Sequence, residues 1–317
     1  MKSPPYIPPT LHIMIDGLLV KALPTISGLQ AVHAAAITPR GKTGDINFGA
    51  IFELVDYLSA ARVGGIALFT ACGEYPALGV DERARVTYLA VKRSRVPVLA
   101  GVGSATLDQS LELAREARAA GVAAVLVPPP LYYQYEQDDI CEFYTQFAAQ
   151  FGSGPAIVLS GGVVPETACR LLETGKFAGI EDGSGSLESL DLLQACQGSS
   201  AVLAGDDRLM VHARSAGLGL LSAAACAAPE LTMALNSAIA AADGPGIARM
   251  EAMRLELLAW LDRFPLPVGV KTAVATRGIQ TGPLPVPLSP ARAQCLEQFR
   301  EWFKAWLPAT KKLASYA

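Results

Sequence analysis

The segment FAGIEDGSG, residues 177–185, joins a short apolar run to two carboxylates and a loop of glycine and serine. Phe177–Ile180 has no polar side chain on either face, which is typical of a strand that is covered on both faces in a parallel sheet. The glycines that follow allow the chain to turn directly after the strand. The segment therefore predicts a buried strand whose carboxyl end carries Glu181.

Seven other short apolar runs along the chain have the same character, and amphipathic helical patterns separate them. The eight predicted strands are Gln30–Ile37, Gly65–Phe69, Val96–Ala100, Ala123–Val127, Ala156–Leu159, Phe177–Ile180, Ala201–Leu203 and Leu218–Ser222. Eight strands with intervening helices favour an α/β fold of the closed (β/α)8 TIM-barrel type over an open doubly wound sheet. In such a barrel the reactive groups lie at the carboxyl ends of the strands.

The ends of several helices can be predicted from capping residues. Thr106 is expected to cap one helix that Gly121 ends, Asp81 to cap an earlier one, and Pro165 to open a helix that Gly175 closes. More helices follow the last strand. We therefore divide the chain into an N-terminal extension (1–27), the barrel (28–228) and a C-terminal helical region (229–317).

The N-terminal extension and the last helix are both expected to pack against other parts of the protein or a partner. The extension is expected to pack on the outside of the barrel or on a partner subunit. Within the C-terminal region, one face of the last helix combines four large apolar residues, for which core or subunit packing is expected: Leu296, Phe299, Phe303 and Trp306.

Composition and charge exclude several classes of protein. The 317 residues are 51% hydrophobic and carry a formal net charge of -3, without the basic cluster that a nucleic-acid surface requires. No apolar run approaches the roughly 18 residues that span a bilayer, and prolines interrupt the start of the chain, unlike a signal peptide. The six cysteines lack a CxxC pair and indicate neither a zinc site nor a disulfide framework, so a cytoplasmic protein is expected.

The segments at the predicted strand ends form an ordered set of motifs. TPRGKTGDIN (38–47) follows strand 1, TACGEYPAL (70–78) follows strand 2, PPPLYY (128–133) follows strand 4 and GIEDGSG (179–185) forms strand 6, with PLPVGVK (265–271) after the barrel. In this order they resemble the dihydrodipicolinate synthase / N-acetylneuraminate lyase family, over roughly residue 28 to the C-terminal helix.

The resemblance implies a barrel with added C-terminal helices that forms a dimer or tetramer. It also implies condensation or cleavage of 2-keto acids, typically pyruvate, through a Schiff base on a lysine, without a cofactor. A tyrosine relays protons in this chemistry. The family pattern after strand 4 gives that role to Tyr132, with Tyr133 as the neighbouring candidate if the loop slips by one residue.

This chain departs from the family pattern at several positions of one site. Where the family has G-I-K at strand 6, Glu181 replaces the Schiff-base lysine. The family's GTTGE loop reads TACGE, so Ala71 and Cys72 replace both threonine hydroxyls. The segment LSGGVVP (159–165) after strand 5 lacks the family's arginine. No other lysine lies at the carboxyl end of a predicted strand.

We therefore expect a rebuilt pocket that has lost or altered the family's reaction and still binds a small molecule, for which a carbonyl compound is one candidate. Its catalytic candidates are Tyr132 and Glu181. The expected substrate-binding residues are Ala71, Cys72, Gly73, Ser160, Gly205 and Ser222.

Two alternatives remain open. In the first, burial keeps Glu181 protonated, and Glu181 and Tyr132 act as acid and base in a lyase without a Schiff base. In the second, the chain is a non-catalytic partner or regulatory subunit. A metal site at Glu74, Glu181 and Asp206 is not expected, because no histidine accompanies these carboxylates at a strand end.

Overall fold

The computed structural model describes residues 26–130, 133–154, 156–284 and 286–315, together with the backbone of two short strands, His12–Ile15 and Leu18–Lys21. These two strands pair with each other in an antiparallel hairpin. The rest of the N-terminal extension lies outside the described residues. The expectation that the extension packs on the barrel or on a partner therefore remains a prediction.

Eight parallel strands close into a barrel, as the sequence predicted. They are β1 (Val32–Ala35), β2 (Gly65–Leu68), β3 (Val98–Gly101), β4 (Ala124–Val127), β5 (Ala156–Ser160), β6 (Gly179–Asp182), β7 (Ala201–Ala204) and β8 (Gly219–Ser222). Each strand pairs with the next in the chain, and β8 pairs with β1. Their apolar side chains are buried on both faces, which explains the continuous apolar runs in the sequence.

Helices surround the barrel and extend beyond it. Those between strands are α1 (Phe48–Ala60), α2 (Val80–Arg93), α3 (Leu107–Ala120), α4 (Gln137–Phe151), α5 (Pro165–Glu173), α6 (Leu187–Cys196) and α7 (Met210–Ser215). After β8 come α8 (Ala223–Ala227), α9 (Pro229–Ala240), α10 (Gly244–Leu261), α11 (Val268–Thr276) and α12 (Pro290–Lys311). None of the helices in the described part of the chain is long and apolar enough to cross a membrane.

The capping residues were predicted correctly for α3 and incorrectly for α2. The hydroxyl of Thr106 accepts a hydrogen bond from the first turn of α3, and Gly121 ends that helix with a φ of 89°. Helix α2 begins one residue before Asp81, with Gly79 as its N-cap. The Glu82 carboxylate accepts the Gly79 N–H at 2.8 Å, so the third residue of the helix satisfies the cap and Asp81 is not needed there.

Aromatic side chains hold the last helix against the rest of the C-terminal region. Phe299 and Phe303 are fully buried, and the Phe299 ring lies 5.8 Å from the Trp260 ring of α10. The ring of Trp306 stacks 5.1 Å from that of Trp302. The apolar face predicted on this helix therefore packs into the core of the protein.

One disulfide joins two neighbouring helices on the outside of the barrel. Cys169 of α5 and Cys196 of α6 are bonded, with their Cα atoms 5.7 Å apart. Strand β6 lies between these helices in the sequence. The cysteine spacing did not predict this bond, because Cys169 and Cys196 approach each other only when the helices pack side by side.

Candidate active site

A cavity of about 410 Å³ opens at the carboxyl ends of the strands. Its walls come from the ends of all eight strands or the segments directly after them, and from the segment before α11. The residues that line it are Ala35, Phe69, Thr70, Ala71, Cys72, Tyr75, Gly101, Leu126, Pro128, Pro129, Pro130, Ser160, Gly161, Gly162, Glu181, Gly205, Leu221, Ala223 and Leu266. This volume lies within the usual range for small-molecule sites.

Glu181 lies on the cavity wall at the end of β6, with 8% of its surface exposed. Strand register pairs it with Ser160 on β5 and with Leu203 on β7. The Ser160 hydroxyl donates a hydrogen bond to Glu181 Oε2 at 2.7 Å. Parallel pairing of β5 with β6 therefore brings two predicted site residues into direct contact.

Two glycines leave room for the second carboxylate oxygen. A Cβ atom on Gly205 would lie only 1.7 Å from Glu181 Oε1, and one on Gly183 would lie 3.4 Å from it. Gly205 follows β7 and also lines the cavity. The present orientation of the Glu181 side chain therefore requires glycine at position 205.

Burial dominates the electrostatics of Glu181. Desolvation raises the pKa of its carboxyl group above the ordinary value of 4.5, and the nearby charge of Asp182 raises it further. The hydrogen bond from Ser160 opposes this shift by stabilising the ionised form. Glu181 is thus a carboxyl group that gives up its proton less readily than one in water.

The other titratable groups on the wall are neutral near pH 7. Burial raises the pKa of the Cys72 thiol well above its usual range, and it also raises the pKa of the Tyr75 hydroxyl. Cys72 therefore has little thiolate character and is a poor nucleophile. Glu181 is the one lining residue in the described chain whose side chain can be charged near neutral pH.

The side chain of Arg83 lies directly behind the wall. The Arg83 guanidinium carbon is 5.4 Å from the ring centres of both Phe69 and Tyr75. Its terminal nitrogens donate to the carbonyl oxygens of Gly101 and Gly103 at 2.7 and 2.8 Å. Arg83 thus holds the loop after β3, and the two rings lie beside its charge.

One unsatisfied hydroxyl completes the polar inventory of the wall. Thr70, at the start of the loop after β2, lines the cavity, and its Oγ1 is buried without a hydrogen-bond partner in the described structure. Buried hydroxyl groups are rarely left in this state. Thr70 Oγ1 is therefore an unsatisfied polar atom within this wall, and the side chain must rotate before it can reach a bound molecule.

Four of the six residues expected to contact substrate line the cavity: Ala71, Cys72, Ser160 and Gly205. The other two, Gly73 and Ser222, lie behind the wall. The Gly73 carbonyl accepts the Thr38 hydroxyl at 2.7 Å, and the Ser222 hydroxyl donates to Asp207 Oδ1 at 2.5 Å. These hydrogen bonds occupy the polar groups of both residues and connect neighbouring segments behind the cavity wall.

Both tyrosine candidates closely follow Pro130, a lining residue of the cavity, in the sequence. Tyr132 is outside the described residues, so its role remains a prediction. Tyr133 is 68% exposed and lines a second, more open depression beside the cavity.

No lysine lines the cavity in the described part of the chain. The most deeply buried lysine, Lys271 of α11, donates to Glu74 Oε2 at 2.9 Å and to the Pro283 carbonyl at 3.3 Å. The ion pair fixes the loop after β2 to the C-terminal region and occupies the lysine amine.

The comparison with known families agrees with this architecture. The sequence profile of the dihydrodipicolinate synthetase family matches residues 28–306, which cover the whole barrel and most of the C-terminal helices. The chain belongs to the dihydrodipicolinate synthetase family.

Individual relatives give the same result. A 4-hydroxy-tetrahydrodipicolinate synthase of Methanothrix thermoacetophila is 31% identical over 276 residues, covering 82% of this chain and 91% of that protein. One from Azoarcus is 29% identical over 266 residues, covering 81% and 91%. The dihydrodipicolinate synthase of Acinetobacter baumannii, solved with pyruvate, superimposes with a TM-score of 0.79 at 25% identity, covering 91% and 100%.

Several wall residues of this dihydrodipicolinate synthetase family member were not among the predicted site residues. Tyr75 and Thr70 belong to the loop after β2, in which the family resemblance indicated only Ala71, Cys72 and Gly73 as site residues. Leu266 comes from the segment before α11, far from the strand ends in sequence. The TACGEYPAL motif could have indicated Thr70 and Tyr75, whereas no local signal indicates Leu266.

Proposed function

We propose that this protein is a divergent member of its family that binds a small molecule in the barrel cavity and has lost Schiff-base pyruvate chemistry. One observation carries the proposal: Glu181 lies on the cavity wall at the end of β6, where the family resemblance leads us to expect the Schiff-base lysine. A carboxylate has no amine to attack a keto carbon, so it cannot form an iminium.

The surroundings of Glu181 support the same conclusion. No lysine is among the described lining residues, and Lys271 is held by Glu74 behind the loop after β2. A pyruvate carboxylate placed roughly 4 Å from an ionised Glu181 would be repelled by about 4 kcal/mol at an effective dielectric constant of about 20. The described wall offers no basic side chain to offset that repulsion.

A second candidate function is acid–base catalysis without a covalent intermediate. Burial raises the pKa of Glu181 towards the range in which a carboxyl group serves as a general acid or base near neutral pH. Tyr132 is the proposed partner in proton transfer. This candidate predicts that the protein turns over a substrate and that Glu181→Gln abolishes this turnover. Borohydride should trap no covalent adduct of that substrate with the protein.

Calorimetric titration with pyruvate tests the main proposal. We expect no saturable binding of pyruvate to the wild type. Glu181→Gln should bind pyruvate saturably and at least roughly tenfold more tightly than the wild type does, because that variant removes the repelling charge. Exposed Glu188 provides the matched control, and Glu188→Gln should behave like the wild type. Saturable pyruvate binding by the wild type that Glu181→Gln weakens would contradict the proposal.

A cytoplasmic location was expected because the cysteines indicated no disulfide framework, and the Cys169–Cys196 bond removes that ground. We also propose that the protein is a homo-oligomer, a dimer or tetramer, as its family resemblance implies. Light scattering on the purified protein measures its mass directly. A stable complex with a different barrel protein would instead support a role as a partner subunit.

A further inference from the structure

We propose that the cavity binds a small organic cation, an ammonium compound with an apolar body, whose nitrogen pairs with Glu181. The inference rests on the proposed function, because it requires a ligand-binding cavity without a reactive lysine. It adds the class of ligand, which neither the family nor its relatives indicate.

Among the described residues, one oxygen of the Glu181 carboxylate has a hydrogen-bond donor and the other has none. Ser160 donates to Oε2 at 2.7 Å, and no donor reaches Oε1 from the described residues. Oε1 lies against the glycine edge of the wall, where Gly205 has no side chain to cover it. A side chain that is more than nine-tenths buried therefore presents an unpaired acceptor to the cavity.

The other carboxylates near Glu181 already have partners. Asp182 accepts the N–H and the hydroxyl of Ser184, both at 3.0 Å. Asp207 accepts the Ser222 hydroxyl and the Ala224 N–H, and its backbone carbonyl accepts a donor from Arg254.

The remaining charged and titratable groups around the site do not neutralise Glu181. Asp206 is paired with Arg208 at 2.8 Å. The Tyr144 hydroxyl of α4 donates to the Val127 carbonyl at 2.7 Å. Arg83 is fixed to two backbone carbonyls behind the aromatic wall. Glu181 is thus a buried acid without a cation among the described residues, and a ligand can supply that cation.

The rest of the wall suits an apolar body with one polar end. Phe69, Leu126, Pro128 and Leu221 are among the apolar side chains that face the cavity. Thr70 Oγ1 has no partner among the described residues and can donate to a ligand once its side chain rotates towards the cavity. This combination of apolar walls with a few polar groups is typical of sites for small organic molecules.

An ammonium group fits this site better than a neutral or anionic group. It donates a charge-assisted hydrogen bond to Oε1, and such bonds are roughly twice as strong as neutral ones. Its charge also offsets the cost of ionising a buried carboxyl group, which a neutral ligand cannot do. A carboxylate ligand would meet Glu181 with the same charge and be repelled.

Calorimetric titration with matched compounds tests the inference. Benzylamine, benzyl alcohol and benzoate share one apolar body and differ in charge, and butylamine, butanol and butyrate form a second series. We expect the amines to bind wild type at pH 7.5 at least about tenfold more tightly than their alcohols. Glu181→Gln should reduce that preference to near unity, while Glu188→Gln should leave it unchanged.

Each outcome has a defined meaning. Saturable amine binding that Glu181→Gln removes supports the inference. Equal binding of amines and alcohols, or no amine binding at all, overturns the inference and leaves the loss of Schiff-base chemistry standing. A pyruvate adduct trapped on a lysine by borohydride overturns the proposed function itself, because it demonstrates a reactive amine.

Discussion

At the residue scale, the contact between Ser160 and Glu181 defines the chemistry of the cavity. A lysine at position 181 would bring an amine to the strand end, whereas Glu181 brings a buried acid that accepts one hydrogen bond. Its raised pKa is a consequence of burial. Stability and ligand choice should therefore both depend on the charge state of this one side chain.

Replacing the acid with its uncharged amide should stabilise the protein at higher pH. The pKa of Glu181 is raised on folding, so its contribution to stability is fully present below the ordinary value of 4.5 and is lost as pH rises through the folded-state pKa. Each unit of pKa difference corresponds to about 1.4 kcal/mol. Glu181→Gln should thus gain melting temperature over wild type as pH rises from 4 to 8. Thermal denaturation across that range measures this, with Glu188→Gln as control, and a difference that does not change with pH would contradict the account.

Adding a single methyl group at Gly205 should reorient Glu181. The new Cβ would lie 1.7 Å from Glu181 Oε1 and 3.1 Å from the Asp182 carbonyl, so the carboxylate must move and its bond to Ser160 is disturbed. We expect Gly205→Ala to weaken amine binding at least about tenfold. The control is Gly244→Ala, where no atom lies within 4 Å of the added Cβ. Unchanged binding in Gly205→Ala would show that Glu181 does not hold the ligand.

At the scale of the elements, the strands could be predicted from the sequence, whereas one helix cap and the disulfide between two helices could not. Each predicted strand overlaps an observed one, because burial on both faces leaves an apolar run that is visible in the sequence. The cap of α2 was misplaced because Glu82 satisfies Gly79 in place of Asp81. The disulfide between α5 and α6 has no local signal, since 27 residues separate its cysteines.

That disulfide should stabilise the segment that carries β6. In the chain-entropy view, closing a loop of 27 residues corresponds to roughly 3.5 kcal/mol at 25 °C. We expect Cys169→Ser to lower the melting temperature of the oxidised protein and to make it insensitive to reductant. Cys141→Ser, at a half-buried free cysteine, is the matched control. If wild type and Cys169→Ser melted alike without reductant, the disulfide would contribute no stability.

At the scale of the whole molecule, a buried ion pair fastens the C-terminal region to the barrel mouth. Lys271 of α11 and Glu74 of the loop after β2 are 1% and 3% exposed at their side chains. Desolvation lowers the pKa of Lys271, and the charge and hydrogen bond of Glu74 oppose this. Lys271 contacts Oε2 of Glu74, and Oε1 has no partner in the described structure. Loss of the lysine therefore leaves the buried carboxylate unpaired.

Removal of one partner should therefore be more harmful than removal of both. Lys271→Met should cost about 3–5 kcal/mol, and adding Glu74→Gln should restore part of that loss because no buried charge remains. Arg170→Met breaks the exposed pair with Asp138 and should change stability little. Chemical denaturation measures all of these variants, and a Lys271→Met protein as stable as wild type would contradict the account.

The candidate site was only partly predictable at this scale. Strand ends converge in any closed barrel, so Ser160, Glu181 and Gly205 could be expected near one another. Leu266 reaches the cavity through the packing of the C-terminal region, which no strand pattern specifies. Gly73 was predicted to contact substrate, but it does not line the cavity, and its carbonyl accepts the Thr38 hydroxyl.

The most direct test of the central claim is a mass measurement after borohydride reduction in the presence of pyruvate. A relative that carries the strand-6 lysine serves as the positive control and should gain the mass of one reduced pyruvate per chain. The account predicts that the protein with Glu181 keeps its unmodified mass under the same conditions. A stoichiometric adduct, mapped by peptide analysis to Lys271 or to any other lysine, would contradict it.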